Sequence, residues 1–543
     1  MSIKITEYNF KITWLFFSNR GYFVFLWIYI NKIVSENNRM KVLKYFICLT
    51  LAIISSFYCV FARQTLISSE PVEIREIFVS NEKTKRKNFI SYAELSDDID
   101  YLFYYLKTAY AGYNELLQNG FSEENFRAHF RKKYENSEEI ETRPIMKEFA
   151  EMFSAFAKDN HLYILGNNAQ EWNSANSFAI FYYTNTFVQK DGDDFRATQT
   201  DSSAIKIGAK FTGNAENLFY YPAKGKNTYR LGVISKQKIS DYKFSFDETE
   251  FNLPLYDDGN IQISFSPKYH EIETENSVYI SLSSFKVQEN DSKFKKGSEI
   301  VLKKFADLGK TWQNKKNIII DLRSNGGGMI EYGIYPFYAM TQKNPQNFKD
   351  FQKANIFSND FFFEQVRITS PATLQAHIKY FENLGEKKCR DYKKYKKDYE
   401  KNLKSPQKLI FKQQCDFSKE IKTYFSGKVI FLLDRNSYSA SELSPLFAKR
   451  ILSENVKIIG ENSAGCIQFG DVLPYQLPNT GIAISLSSAK NTLLNHFENW
   501  HGEQYGIYPD YWALGCDLNE TIFLETNDSE MKEKLKNIEF RLL

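Results

Sequence analysis

The chain has 543 residues, 43% hydrophobic and 25% charged, the balance of a globular protein with substantial cores and room for three or four domains. A formal net charge of +4 over this length argues against a nucleic-acid-binding surface. No repeat, zinc-type Cys/His spacing or phosphate-loop pattern is present in the sequence.

In chain order, residues 1–63 read as a leader. "MKVLKYFICLTLAIISSFYCVFARQ" starts at Met40, with Lys41 and Lys44 before an apolar run from Tyr45 to Phe61. Val60-Phe61-Ala62 closes it, the pattern of a secretory signal peptide over 40–62. The upstream stretch from Trp14 to Ile30 is also apolar but is interrupted by Arg20. Two readings stay open: a true start at Met40, which we favour, or a two-segment membrane anchor. Either predicts a secreted, periplasmic or membrane-anchored protein that meets a membrane only through its leader. Beyond the leader lie Cys389, Cys415, Cys466 and Cys516. Cys389 and Cys415 flank a Lys/Tyr-rich stretch that a disulfide could staple, and four free thiols fit equally well.

Residues 64–165 are expected to form an N-terminal helical subdomain. "LSDDIDYLFYYLKTAYAGYNELLQ" spaces its apolar residues by three and four after Ser96, a candidate cap, and "RPIMKEFAEMFSAFAKDNHLYIL" carries a second amphipathic helix. Residues 166–270 alternate and are rich in Val, Ile, Phe and Tyr, which predicts a β-rich insert. From 271 to 512 the pattern changes to strand–helix–strand. "NIIIDL", "KVIFLLD" and "VKIIGE" are the uninterrupted apolar runs of strands covered on both faces. That is an α/β core, with site residues expected at the strand C-terminal ends. A polar insertion spans about 345–425, its basic part at 387–411 reading as a solvated helical face, and 513–543 reads as a C-terminal tail.

The stretch "DRNSYSASELSPLF" places Ser437, Ser439 and Ser441 on a turn between a buried strand and a helix expected from about Ala440. A serine hydroxyl needs a base to become a nucleophile, and a helix start offers free N–H groups to a developing oxyanion. Ser441 and Glu442 fall within the first helical turn, so Ser439 is the best-placed nucleophile. Asp321, at a strand end, is read as ordering the turn that follows it.

"NIIIDLRSNGGG", "SYSASE", "GENSAG" and "GIYPD", in that order, resemble the C-terminal processing peptidase and tricorn-core superfamily of serine peptidases. The resemblance implies a crotonase-like core sheet with flanking helices and makes Ser439 the nucleophile. The tail-specific branch uses a lysine base, but its position holds Cys466, read here as a small packing residue. The tricorn-like branch uses a histidine in a D-x-H segment, oriented by a glutamate before G-x-x-P-D. Those positions are His161, in Asp159-Asn160-His161, and Glu503. Asn160 stands where a further polar group is often found, and His496 and His501 remain rival bases. The implied oxyanion donors are the N–H of Ala440 and that of Gly326 or Gly327. No loop of PDZ type for binding a free C-terminus is evident in 166–270.

These implications predict an exported serine endopeptidase acting on peptide or protein substrates through an acyl-enzyme, with no metal or cofactor required. The alternatives are a binding protein without turnover on the same fold, or a peptidase with a lysine base from elsewhere.

Overall fold

The computed structural model describes residues 2–5, 10–13, 27–30, 64–79, 87–165, 171–173, 178–257, 268–287, 292–345, 362 and 364–536. The chain divides into two compact units, 1–63 and 64–543. In the first, strands Ser2–Ile5, Phe10–Thr13 and Trp27–Ile30 pair antiparallel. The signal peptide expected at 40–62 lies outside the described residues. Among those described, no helix is long and apolar enough to cross a membrane.

The second unit is built on two large sheets. One has six strands, in the order Tyr269–Glu273, Ser277–Leu282, Asn317–Asp321, Lys428–Leu433, Val456–Gly460 and Tyr511–Trp512. The first pair is antiparallel and every later pair parallel. Side chains alternate along a strand, so the apolar runs feed two cores. Ile318 and Ile320 pack with Leu302, Phe337 and Phe447, from helices Ser292–Ala306, Ile330–Met340 and Ala440–Leu452. Ile319, Ile430 and Ile459 face the other way, against Leu518, Ile522, Met531 and Leu535. These last residues lie on helices Asp517–Thr526 and Ser529–Lys536. The segment read as a tail is therefore the second cover of the core sheet, which its buried strands require.

The other sheet is antiparallel throughout and draws on the whole chain. Its order is Gln64–Pro71, Gln407–Gln413, Gln365–Thr369, Ala483–Asn491, Tyr163–Leu165 and Glu171–Asn173, with Phe469–Gln476 also paired to Ala483–Asn491. The expected insertion at 345–425 thus supplies two of its strands and helices Pro371–Asn383 and Arg390–Asn402, with 346–361 outside the described residues. The N-terminal helices pack on this sheet: Leu95, Leu102 and Phe149 share a core with Leu473, Tyr475 and Ile484. The first of them, Tyr92–Ala109, starts earlier than Ser96. Ser91 caps it, with Glu94 bonded back to the Ser91 N–H at 2.8 Å.

Residues 180–254 are rich in strands. Strands Asp194–Gln199, Ile180–Asp191, Thr228–Ser235 and Leu218–Tyr220 form one sheet, beside the hairpin Asp241–Phe246 and Thr249–Pro254. They enclose a separate apolar core.

The possible Cys389–Cys415 disulfide is not formed; all four described cysteines are free thiols. The two sit in different surroundings. Cys389 caps helix Arg390–Asn402, its sulfur accepting the Tyr392 N–H at 3.3 Å, whereas Cys415 packs on the core beneath the six-stranded sheet.

Candidate active site

Strand Lys428–Leu433 ends in the serine turn, and helix Ala440–Leu452 leaves it. The three serines separate cleanly. Ser437 is buried and donates to the Leu322 carbonyl at 2.9 Å. Ser441 is buried and donates to the carbonyls of Asn325 and Tyr438 at 2.9 and 2.8 Å. Both fasten the turn to its neighbours. Ser439 has a backbone φ of 56° and ψ of −118°, a region costly for a residue with a Cβ. Its hydroxyl lies 3.2 Å from His161 Nε2.

His161 arrives from the antiparallel sheet, just ahead of strand Tyr163–Leu165. Its N–H donates to Asp159 Oδ1 at 2.8 Å, which fixes the D-x-H turn. Burial pushes the imidazole pKa down to about 4; the Phe469 backbone pulls it up and the Lys286 charge adds to the fall. The imidazole is thus neutral at neutral pH. His496 stacks on Phe417 and His501 on Tyr508, so neither rival accompanies Ser439.

Glu503 is brought to the site, but not as an imidazole partner. Its Oε1 accepts the Asn160 N–H at 3.1 Å, and Oε2 accepts those of Ile467 at 3.3 Å and Gln468 at 2.9 Å. It ties the backbone just before His161 to the backbone at Ile467 and Gln468, rather than binding the ring. The carboxylate oxygen closest to the ring among the ion pairs is Asp159 Oδ1, 3.9 Å from Nδ1. Asn160 Nδ2 donates to the Gly465 carbonyl at 2.9 Å, a brace between the base and the loop after Gly460. Burial raises the Glu503 carboxyl well above its ordinary value, with Asp159 adding to it, and raises Asp159 to about 7.

Sequence reasoning missed the role of Glu442. Fully buried on the first turn of the helix, it accepts four hydrogen bonds. Ser439 N and Cys466 N donate to Oε2, both at 2.9 Å; Ser463 Oγ and Gly465 N donate to Oε1, at 2.6 and 2.8 Å. One carboxylate ties the Ser439 backbone to the loop that lies under His161. Burial raises it to about 7, against these hydrogen bonds. The spacing S-x-x-E, the carboxylate half of a capping box, was its signal.

Cys466 is buried with its sulfur 3.5 Å from each ring nitrogen of His161. It is a packing residue, but one that packs on the His161 imidazole. Burial pushes its thiol well above the usual range.

Opposite the turn, Asp321 orders the glycine loop as expected: Arg323 Nε and Nη2 bind it at 2.9 and 2.6 Å, and Tyr279 donates at 2.7 Å. A Cβ on Gly327 would lie 2.5 Å from the Tyr438 carbonyl oxygen, so only glycine lets this loop meet the serine turn. The Gly327 N–H is already donated to Asn325 Oδ1 at 2.9 Å, which removes it from the two expected oxyanion donors. Among the described residues the N–H groups of Ala440 and Gly326 have no hydrogen-bond acceptor.

A serine on a strained strand-to-helix turn, a neutral imidazole at its oxygen and free N–H groups beside it define the class: a hydrolase with a serine nucleophile. Residues 276–512 match the model of Peptidase family S41. Similar solved structures include mature CPAF complexed with lactacystin, 15% identical over 83% of this chain and 99% of that one, TM-score 0.37. The photosystem II D1 C-terminal processing protease is 12% identical over 78% and 93%, TM-score 0.30. The tricorn protease is 11% identical over 82% of this chain and 37% of its own, TM-score 0.30. No curated protein sequence matches.

Proposed function

We propose that this protein is an exported serine endopeptidase that cuts peptide bonds through an acyl-enzyme at Ser439, on a crotonase-like core. The observation that carries this is the 3.2 Å approach of Ser439 Oγ to His161 Nε2. His161 takes the hydroxyl proton as Ser439 attacks the scissile carbonyl, then returns it to the leaving amine. Water enters by the same route in reverse and frees the serine. The tetrahedral oxyanion sits against the N–H groups of Ala440 and Gly326, each worth about 2.7–4 kcal/mol of barrier.

The carboxylates act on position. Asp159 and Glu503 fix the backbone that carries the imidazole; Glu442 fixes the serine against it. Export rests on the Met40 leader.

The test is hydrolysis of casein or a peptide library, with fluorophosphonate labelling, by the full chain beside Ser439→Ala and His161→Ala. Turnover and labelling lost in both folded variants support the proposal. Turnover retained in His161→Ala would sink the histidine base. An unmodified protein that neither cleaves nor labels would favour a binding protein on this fold.

A further inference from the structure

We infer that His161, Cys466 and Glu503 form a site for a soft divalent cation, with Zn2+ as the fitting chemistry, and that its occupation switches the peptidase off. One imidazole nitrogen, the cysteine sulfur and one Glu503 oxygen all lie within 4.8 Å of one another. The sulfur is 3.5 Å from both ring nitrogens, so it rests against the ring face, and coordination would require the imidazole to turn until one nitrogen lone pair meets a metal shared with the sulfur. A tetrahedral zinc, with bonds of about 2.3 Å to sulfur and about 2.0 Å to nitrogen, holds these two donors roughly 3.5 Å apart.

Counting lone pairs selects the carboxylate. A carboxylate has about four acceptor positions. Four donors fill those of Glu442. Glu503 accepts three N–H groups and keeps one position open. The charge balance points the same way. Asp159, Glu442 and Glu503 are buried around a single imidazole, at 0%, 0% and 7% exposure, and among the described residues none forms an ion pair with lysine or arginine. An opposite charge or a metal is what lets a buried carboxyl ionise. A nitrogen and a sulfur in the set favour zinc over magnesium or calcium.

Binding would form the metal–sulfur bond as the thiol proton leaves to solvent, and any proton on Glu503 would leave with it as the carboxylate binds the cation. The metal would occupy an imidazole lone pair, and the ring would lose its freedom to serve Ser439. The fourth coordination position would be left to water or to the serine hydroxyl.

The experiment uses the full chain carrying Ser439→Ala, so that binding is read without any peptidase activity. Zn2+ is titrated by calorimetry and Co2+ by absorption. One bound Zn2+ per chain and a thiolate-to-cobalt charge-transfer band are expected. Cys466→Ser in the same background, checked for its fold by circular dichroism, should lose the band and the tight binding. A cobalt complex without the band, or zinc binding as tight in Cys466→Ser, would overturn the site. With the site established, micromolar Zn2+ should inhibit the unmodified enzyme and EDTA restore it; full activity of the zinc-loaded enzyme would overturn the switch.

Discussion

The two large sheets of the second unit carry different halves of the proposed catalytic pair and left different traces in the sequence. The six-stranded sheet supplies Ser439, and its parallel strands are covered on both faces. Asn317–Asp321 is buried at every position. The antiparallel sheet supplies His161, and its cover is uneven: Ala483–Asn491 is mostly buried, while the edge strand Gln64–Pro71 is exposed at nearly every position. Strands buried on both faces must be written as apolar runs. Half-covered strands need only alternate, and their partners are far away, as when Ser69 bonds Gln407. The site depends on how firmly the second sheet is held against the first.

The largest effects come from cutting the link itself. Ser439→Ala and His161→Ala should each lower kcat by about 10⁴-fold or more, with folding intact by circular dichroism. Near-equal losses would show that the residues act as one unit. Glu442→Gln cannot accept all four hydrogen bonds and should let the serine turn shift. A loss of about 10²-fold in kcat, with KM little changed, is expected from a small misplacement of the nucleophile. A changed KM with normal kcat would mean that Glu442 shapes the substrate groove instead.

Packing gives the next test. Ile319→Ala, at a position with no exposure, should cost about 2–5 kcal/mol in denaturant unfolding. Leu409→Ala, on the half-covered Gln407–Gln413, should cost nearer ~1 kcal/mol. Equal costs would erase the contrast between the sheets.

The same contrast explains what was legible. Ser439 could be placed because the strand, turn and helix that present it are contiguous. The core strands could be placed from their apolar runs. The strands of 345–425 could not, because polar, half-exposed residues look alike in a loop and in an edge-side strand. His161 and Glu503 were located through the ordered motifs, yet the partner of Glu503 was misassigned. Its bond to the Asn160 N–H joins residues 343 positions apart, and nothing local distinguishes a backbone from a ring as its target. The capping box at Ser91 was overlooked in favour of Ser96, though Glu94 stands three residues after Ser91.

Asp471 tests whether the antiparallel sheet can be loosened by itself. It lies at φ 55° in strand Phe469–Gln476, where the pairing skips from Gly470 to Val472. Burial would push its carboxyl up, but Arg367 at 3.0 Å, His377 and Ser488 hold it far below the usual range. A carboxyl lowered on folding contributes stability above its unfolded pKa, about 3.9, and loses it as pH falls toward the folded value. Asp471→Asn should therefore cost about 1–3 kcal/mol at neutral pH, and the cost should shrink in acid as the unmodified protein loses the same contribution. Urea unfolding at neutral and acid pH reads this directly; a pH-independent difference would assign the effect to packing. Asp471 is two residues from Phe469, whose backbone acts on His161. If the sheet positions the base, the variant should also lose a few-fold in kcat at neutral pH while Ser439 keeps its place. If kcat is untouched, the D-x-H turn and Glu503 are enough to hold His161 without the rest of the sheet.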